Sequence, residues 1–218
     1  MSLIPIKTPS VVKKMFPNYT WSIPTTEDVI YLTFDDGPTP EITEWTLEQL
    51  KKHDAKATFF CIGNNVEKHP EVFQSIINQG HAIGNHTHNH LKGWKILSQD
   101  YIENVLKADF YISKNYNSES NKIFRPPYGK IKPKQAKQLQ ELGYKIIMWD
   151  VISFDWDKDI PIEKCLENVI KNTEKGSVVV FHDSIKASKN LKSVLPKVLE
   201  YYSKLGFTFK SIDFTSIA

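Results

Sequence analysis

Short runs of β-branched and aromatic residues alternate along the chain with longer segments whose apolar residues recur every three to four positions. The short runs predict strands, because turn formers or charged residues bound each of them. Seven runs have this character, at residues 29–34, 57–62, 81–84, 122–125, 144–149, 177–181 and 207–212. Repeated strand–helix units predict an α/β fold with a mostly parallel sheet, either open and doubly wound or closed into a barrel.

The longer segments carry the start and stop signals of helices. Thr39 is a suitable N-cap and Pro40 suits a first helical position. Pro196 predicts a kink or a new start within the last helical segment. Three glycines follow apolar stripes and predict helix ends, at Gly80, Gly143 and Gly206.

Residues 1–27 contain four prolines and little periodicity. They predict a lead-in segment packed on a single domain formed by residues 28–218. The lead-in lacks the apolar core of about 7 to 15 residues that secretory signals have, and no apolar run approaches the ~20 residues of a membrane helix. The sequence therefore predicts no membrane span. It leaves the location open between the cytoplasm and, for a trimmed chain, secretion or the cell envelope.

The composition changes this picture little. With 218 residues and a net charge of 28 − 25 = +3, the chain is an ordinary globular protein rather than a disordered or low-complexity one. Its positive charges are scattered along the sequence, which gives no support for nucleic acid as a partner. Cys61 and Cys165 are too few for a disulfide framework or a cysteine-rich zinc site, and we expect buried free thiols.

Two clusters suggest a metal site. Asp35 and Asp36 follow the first predicted strand, so that one carboxylate can bind a metal while the other stays free, although Asp-Asp-Gly-Pro is also a common turn sequence. His86 and His90 are spaced to share one face of a helical turn, although such pairs also occur on plain surfaces. Together, Asp36 and the two imidazoles would suit Zn²⁺, Fe²⁺, Co²⁺ or Ni²⁺ and leave coordination positions open.

Three further clusters carry groups suited to acid–base chemistry or sugar binding. Arg125 precedes two prolines and Tyr128. This segment is either a surface turn or a functional one, in which Arg125 pairs with a carboxylate and the Tyr128 backbone N–H can face an oxyanion. Residues 149–156 combine acids with large aromatics, typical of a sugar-binding groove or of a core. His182 ends a buried run, as a proton-transfer group or as a satisfied core histidine.

All five clusters follow the carboxyl end of a predicted strand. In an open sheet, with strands about 4.8 Å apart, the first and sixth strands could lie more than about 20 Å from each other, too far for a shared site. A barrel brings these ends together, and barrel enzymes carry their catalytic residues there. The position of the clusters therefore favours the barrel.

These residues resemble the polysaccharide deacetylase family, the NodB homology domain of carbohydrate esterase family 4. The motifs TFDDGP, HTxxH, RPPYG, DW and a late apolar-x-His occur in the family's order between about residues 29 and 213. The resemblance implies a distorted (β/α)7 barrel with the active site at the carboxyl ends of the strands. It also implies hydrolysis of the N-acetyl amide of N-acetylglucosamine residues, in a chitin-like oligomer or in peptidoglycan.

By the same resemblance, Asp36, His86 and His90 bind one divalent ion, Zn²⁺ in the first place and Co²⁺, Ni²⁺ or Fe²⁺ as alternatives. Asp35 is the general base that activates a water on the metal, and His182 is the general acid that protonates the leaving amine. The implied partner is an acetylated polysaccharide or oligosaccharide, while the oligomeric state stays open.

The resemblance gives four other residues supporting roles. Arg125 holds Asp35 and Asp155 orients His182. The backbone N–H of Tyr128 stabilises the oxyanion, and Trp156 lines the acetyl pocket. The chain departs from the usual pattern at two positions where many members have an acid and a leucine, which are here Ile152 and Val180.

Other functions use similar residues. An O-acetyl xylan esterase or a cyclic-imide hydrolase could activate water in the same way. A noncatalytic carbohydrate-binding member would keep the groove without turnover, but Asp35 and His182 argue against it. A two-histidine, one-carboxylate iron oxygenase normally has a double-stranded β-helix, which the alternating helices disfavour.

Overall fold

The computed structural model of the protein describes residues 5–114, 116 and 122–213. Its strands are β1 Tyr19–Thr20, β2 Val29–Asp35, β3 Thr58–Cys61, β4 Ala82–Asn85, β5 Ile123–Phe124, β6 Lys145–Ile147, β7 Val151–Ile152, β8 Val178–His182 and β9 Thr208–Phe209. Its helices are α1 Ser10–Met15, α2 Ile42–Lys52, α3 Gly63–Lys68, α4 Pro70–Asn78, α5 Ser98–Ser113, α6 Pro133–Glu141, α7 Ile162–Ile170 and α8 Ser188–Lys204.

The strands form one sheet in the order β1-β6-β5-β4-β3-β2-β8-β7, and β9 pairs with the start of β2. All of these pairings are parallel. The sheet curls into a half-barrel with the helices around it, so the expected distorted barrel in a single α/β domain is confirmed. Each of the seven predicted runs overlaps one strand of the sheet, and β2, β4 and β8 extend one residue beyond their runs. The two remaining strands, β1 and β7, are two residues long.

Strand β2 is the central strand of this arrangement. All seven of its residues are buried, as its unbroken run of large and β-branched side chains predicts. It pairs with β3 on one side and with β8 on the other, and the register with β8 sets Asp35 opposite His182. Parallel pairing thus brings residues 147 positions apart in the chain to the same end of the sheet.

Two helix predictions need correction. The helix after the first strand begins at Ile42 rather than at Pro40, because Glu41 occupies the N-cap and the Glu44 side chain accepts the Glu41 backbone N–H at 2.8 Å. Helix α8 runs without a restart through Pro196, whose neighbours Val194, Leu195 and Val198 are fully buried. Their burial offsets the one backbone hydrogen bond that proline removes.

The predicted helix ends are confirmed. Gly80, Gly143 and Gly206 each lie two residues beyond the end of a helix and have a φ of 74°, 87° and 84°. This left-handed backbone is the usual C-terminal stop of a helix, and glycine adopts it without steric cost.

The lead-in segment contacts the sheet at both of the sheet's edges. Strand β1 pairs with β6, and Lys7 forms an antiparallel bridge with Val151 of β7. The Asp150 carboxylate is buried and accepts hydrogen bonds from Lys13 Nζ and Ser177 Oγ, both at 2.6 Å. These contacts join residues 7–22 to the domain, while the boundary at residues 27/28 stays a prediction.

The core lies between the sheet and its helices and contains most of the large apolar side chains. Cys61 and Cys165 are buried in it as free thiols, as expected. Within the described residues, no helix combines the length and the hydrophobicity that crossing a membrane would take.

Candidate functional site

A cavity of about 490 Å³ opens at the carboxyl ends of the central strands. Asp35 and His182 are the last residues of β2 and β8, and His86 directly follows β4. The predicted site residues that line the cavity are Asp35, Asp36, His86, His90, Tyr128, Trp156 and His182. Arg125 and Asp155 lie behind this lining, and both are buried.

One wall of the cavity carries a group of side chains that could hold a metal ion. Asp36 Oδ1 lies 3.2 Å from His90 Nε2 and 3.7 Å from His86 Nε2. One ligand atom from each of the three residues falls within 4.8 Å of the other two. Asp36 Oδ1 is buried and has no hydrogen-bond partner among the described residues. A buried carboxylate oxygen without a donor, facing two imidazole nitrogens, fits a divalent cation.

The imidazole of His86 is held in the form that binds metals. Its Nδ1 lies 2.7 Å from the Arg125 carbonyl oxygen, so Nδ1 carries the hydrogen and Nε2 presents its lone pair toward Asp36. Burial lowers the pKa of His86 to about 4, although Asp35 opposes this shift. The pKa of His90 is also lowered, again mainly by burial. Both rings are therefore neutral at neutral pH.

The backbone around the cavity is strained. Five residues other than glycine have a positive φ there: Asp36 at 80°, Thr87 at 65°, His90 at 52°, Tyr128 at 61° and Phe154 at 63°. Side chains with a Cβ rarely adopt this conformation. Such strain persists only where the surrounding contacts enforce it, and it is concentrated at functional sites.

Asp35 is bound to a buried arginine. Its Oδ1 accepts a hydrogen bond from Arg125 Nη1 at 2.7 Å, and both side chains are buried. Burial alone would raise the pKa of Asp35, but the positive charge of Arg125, with His86 and His182, lowers it below its usual value. Asp35 is a carboxylate that carries its charge at neutral pH.

Arg125 is fixed by several partners. Its guanidinium donates to the carbonyl oxygens of Ile147 at 3.2 Å and Met148 at 2.8 Å, and to Thr33 Oγ1 at 2.7 Å. The Phe60 ring lies 4.1 Å from its Cζ. The guanidinium of Arg125 binds Asp35, and its backbone carbonyl accepts a hydrogen bond from His86 Nδ1. Arg125 therefore links the Asp35 carboxylate to the wall that carries the candidate metal ligands.

A second wall carries His182, with Asp155 buried behind it. Asp155 Oδ1 lies 2.8 Å from His182 Nδ1, and Asp155 Oδ2 accepts the His182 backbone N–H at 2.7 Å. Burial would lower the pKa of His182, but the charge and hydrogen bond of Asp155 raise it to about 9. His182 therefore carries a proton at neutral pH. The Trp156 ring stands edge-on to it, with ring centroids 4.8 Å apart.

Comparison with known proteins identifies the family of the chain. The sequence pattern of the family described as polysaccharide deacetylase matches residues 22–147, which is more than half of the chain. The chain belongs to the polysaccharide deacetylase family.

Similar members of this family come from Bacillus cereus. One peptidoglycan-N-acetylglucosamine deacetylase is 32% identical over 195 residues, covering 89% of this chain and 91% of that protein. Another with the same name is 37% identical over 166 residues, 76% of this chain, but the matched part spans only 60% of its length. The crystal structure of the Bc1960 peptidoglycan N-acetylglucosamine deacetylase superposes with a TM-score of 0.85 at 32% identity, covering 94% of this chain and 95% of that one.

The two departures from the pattern of the polysaccharide deacetylases lie side by side. Ile152 of β7 and Val180 of β8 are register partners, and both line the cavity. With Trp149 and Trp156 they make this part of the lining apolar. The structure therefore joins two substitutions that are 28 positions apart in the sequence into one apolar floor.

Sequence reasoning assigned no role to two residues that hold the loop of Asp36. The buried Asp183 carboxylate accepts the Gly37 backbone N–H at 3.1 Å and the Thr43 hydroxyl. Burial raises the pKa of Asp183 to about 7. On the other side, Asn65 Nδ2 donates to the Asp36 carbonyl oxygen at 2.8 Å. Only Asp183, directly after His182, had a sequence signal, since it adjoins a proposed catalytic residue.

Proposed function

We propose that the protein is a metal-dependent deacetylase that hydrolyses the N-acetyl amide of N-acetylglucosamine residues in peptidoglycan or a chitin-like oligomer. The observation that carries this proposal is the convergence of two walls on one cavity. A carboxylate–imidazole group lies on one wall, and a protonated histidine lies on the other, with Asp35 next to both. The relatives named above, both peptidoglycan deacetylases, support the same chemistry.

Asp36, His86 and His90 would hold the metal. Two nitrogen ligands and one oxygen ligand favour Zn²⁺, and Co²⁺, Ni²⁺ or Fe²⁺ suit the same donors. When bound, a divalent ion supplies Lewis-acid polarisation of the acetyl carbonyl and lowers the pKa of a nearby water.

Asp35 is the proposed general base. It is a carboxylate at neutral pH, because Arg125 keeps its pKa low, and it lines the cavity beside Asp36. It accepts a proton from the attacking water as that water forms its bond to the acetyl carbon. Arg125, fixed by its four other contacts, holds Asp35 in place and compensates its buried charge.

His182 is the proposed general acid. An amide nitrogen is a poor leaving group unless it is protonated, so C–N cleavage needs a proton donor on the amine side. His182 carries that proton on the second wall, and Asp155 stabilises the protonated ring. In this proposal the Tyr128 backbone N–H contributes to the oxyanion site, and Trp156 with the apolar floor receives the acetyl methyl group.

Acetate release tests the proposal. The metal-loaded protein should release acetate from N-acetylglucosamine oligomers and from peptidoglycan, and chelation followed by dialysis should abolish the release. Acetate from acetylxylan alone would instead indicate an O-acetyl esterase, and turnover of a cyclic imide would indicate the imide hydrolase. Binding of the oligomers without any acetate release would identify a noncatalytic member.

A further inference from the structure

One rim of the cavity is aromatic. Tyr128 lines the cavity, and its ring centroid lies 4.6 Å from that of His90. On its outer side it meets Trp94 edge-on, at 5.4 Å between centroids and 84° between planes. Tyr128 is 44% exposed and Trp94 is 36% exposed. An aromatic surface therefore extends from the proposed metal ligands toward solvent.

Two lysines accompany these rings. Lys92 Nζ lies 5.5 Å from the centroid of the Tyr128 ring, and Lys130 Nζ lies 5.3 Å from that of Trp94. Both lysines are exposed, and both lie within the distance at which an ammonium group is attracted to a ring face. We call Lys92, Trp94, Tyr128 and Lys130 the basic platform.

Folding concentrates positive charge around the basic platform. Residues 91–99 and 126–140 contain six lysines and no aspartate or glutamate. The two segments pack together, since Lys132 Nζ donates to the Ile96 carbonyl oxygen at 2.6 Å and Gln135 Nε2 to that of Gly93 at 2.9 Å. Asp100 and Glu141 directly follow the two segments, and Glu141 pairs with Lys137, so the lysines still outnumber the acids on this side of a chain whose net charge is only +3.

We propose that the basic platform is a subsite for a carboxylate carried by the sugar next to the one that is deacetylated. The aromatic faces can pack against the C–H groups of that sugar, and the two ammonium groups can pair with its carboxylate. A neutral chitin-like chain offers these lysines no partner. The inference rests on the proposed function and makes it narrower, toward an acidic glycan such as peptidoglycan.

In such a glycan the carboxylate has two possible sources, the lactyl group of the muramic acid or a peptide attached to it. Continuity favours a glycan on this surface, because Tyr128 belongs to both the cavity and the basic platform. A sugar seated in the cavity therefore places its neighbour in the chain at the platform.

The test compares three tetrasaccharides of alternating N-acetylglucosamine and N-acetylmuramic acid. One has free lactyl carboxylates, one has them converted to methylamides, and one has them joined to stem peptides. At low ionic strength we expect kcat/KM for acetate release to be about fivefold higher for the free carboxylate than for the methylamide, mainly through KM. Added salt should reduce this ratio, because it screens exposed charges.

The double variant Lys92→Gln/Lys130→Gln should bring that ratio close to one. Lys137→Gln is the matched control, since Lys137 is an exposed lysine of the same segment that pairs with Glu141, and it should keep the ratio of the unaltered protein. If the double variant affects only the peptide-bearing substrate, the recognised carboxylate is that of the peptide. The proposal is overturned if kcat/KM in the unaltered protein is the same for both acidic substrates as for the methylamide. It is also overturned if the double variant leaves the preference for the acidic substrates unchanged.

Calorimetric binding of the same oligosaccharides separates this proposal from the deacetylase proposal. A lysine-dependent preference in Kd without any acetate release would support the subsite and reject the deacetylase. Acetate release with equal Kd and equal kcat/KM for the acidic and neutral substrates would support the deacetylase and reject the subsite.

Discussion

His86 and His182 line the same cavity and have opposite proton states. Both side chains are largely buried, and burial alone would make both neutral. The partner of Nδ1 makes the difference. For His86 it is the carbonyl oxygen of Arg125, at 2.7 Å, and for His182 it is the carboxylate of Asp155, at 2.8 Å. The pKa values of the two rings are about 4 and about 9.

This difference divides the cavity into two chemical regions. A carbonyl orients an imidazole without stabilising its positive charge, so the ring stays neutral and keeps a lone pair for a metal. A buried carboxylate stabilises the protonated ring, which then has a proton to donate. The same side-chain type thus serves as a proposed ligand on one wall and as a proposed acid on the other.

Removing a ligand from the metal wall should have the largest effect. We expect His86→Ala to lose both the bound metal and acetate release, because Asp36 and His90 alone leave the ion with one imidazole and one carboxylate. Elemental analysis and an acetate assay on the same sample measure both. His53→Ala, a histidine outside the cavity, is the control. A variant that keeps its metal and its turnover would remove His86 from the proposed ligand set.

Neutralising Asp35 should separate chemistry from metal binding. We expect Asp35→Asn to keep the metal and to lose about a thousandfold in kcat, the range typical of a general base. The asparagine oxygen can still accept from Arg125, but the arginine charge loses its compensation, so a thermal melt must confirm the fold. Metal loss equal to that of His86→Ala would contradict the role of Asp35.

Replacing the partner of His182 should make the second wall resemble the first. In Asp155→Asn the amide can still accept the His182 backbone N–H, but the pKa of His182 should fall from about 9, because the largest opposition to burial is lost and only the weaker effects of Asp36 and Asp35 remain. As the pH rises, His182 of the variant then loses its proton at a lower pH than in the unaltered protein. The alkaline limb of kcat/KM should therefore move to lower pH. At pH 8 we expect a loss of about a hundredfold.

The measurement for Asp155→Asn is the pH profile of acetate release between pH 5 and 10. Asp159→Asn, an exposed acid of the same loop, should leave the profile in place. If Asp155→Asn lowers activity equally at every pH, then Asp155 supports the loop and does not set the proton state of His182.

Most of the residues of both walls could be predicted from the sequence. Asp35, His86 and His182 have recognisable neighbours and sit at strand ends, where parallel pairing brings distant segments together. Runs of β-branched and aromatic residues located seven of the nine strands, and glycines after apolar stripes located three helix ends. Strands β1 and β7 escaped prediction because of their surroundings: β1 lies in the proline-rich lead-in, and β7 lies among the acids and aromatics of residues 149–156, which carry no strand signal of their own.

The supporting contacts could not be predicted, because they join residues far apart in the chain. Asp183 reaches back 146 positions to the Gly37 N–H, and the Lys13–Asp150 contact spans 137 positions. The sequence also made the lysines appear scattered. Only the packing of residues 91–99 against 126–140 reveals the basic platform.

A third histidine offers the smallest and most selective test of the comparison. His81 is buried outside the cavity, and its Nδ1 accepts the Ala57 backbone N–H at 3.1 Å. Burial, with Lys56 nearby, lowers its pKa to about 4 without any proposed role in chemistry. It therefore shows what burial, a backbone contact and a nearby lysine do to the pKa of a histidine that has no carboxylate partner.

The consequence appears in stability rather than in activity. Between pH 6.5 and 4 the unfolded chain binds a proton at His81 that the folded chain does not, so the free energy of unfolding falls as pH falls, by up to about 3 kcal/mol. Above pH 6.5 neither state binds the proton, and no loss remains. His81→Gln keeps an acceptor for Ala57 but does not titrate, so urea unfolding at pH 7 and pH 4.5 should show a smaller loss in the variant. Acetate release at pH 7 should be the same in the variant and the unaltered protein. An equal loss of stability in both proteins would mean that His81 is protonated in the folded chain at pH 4.5 and would contradict the prediction.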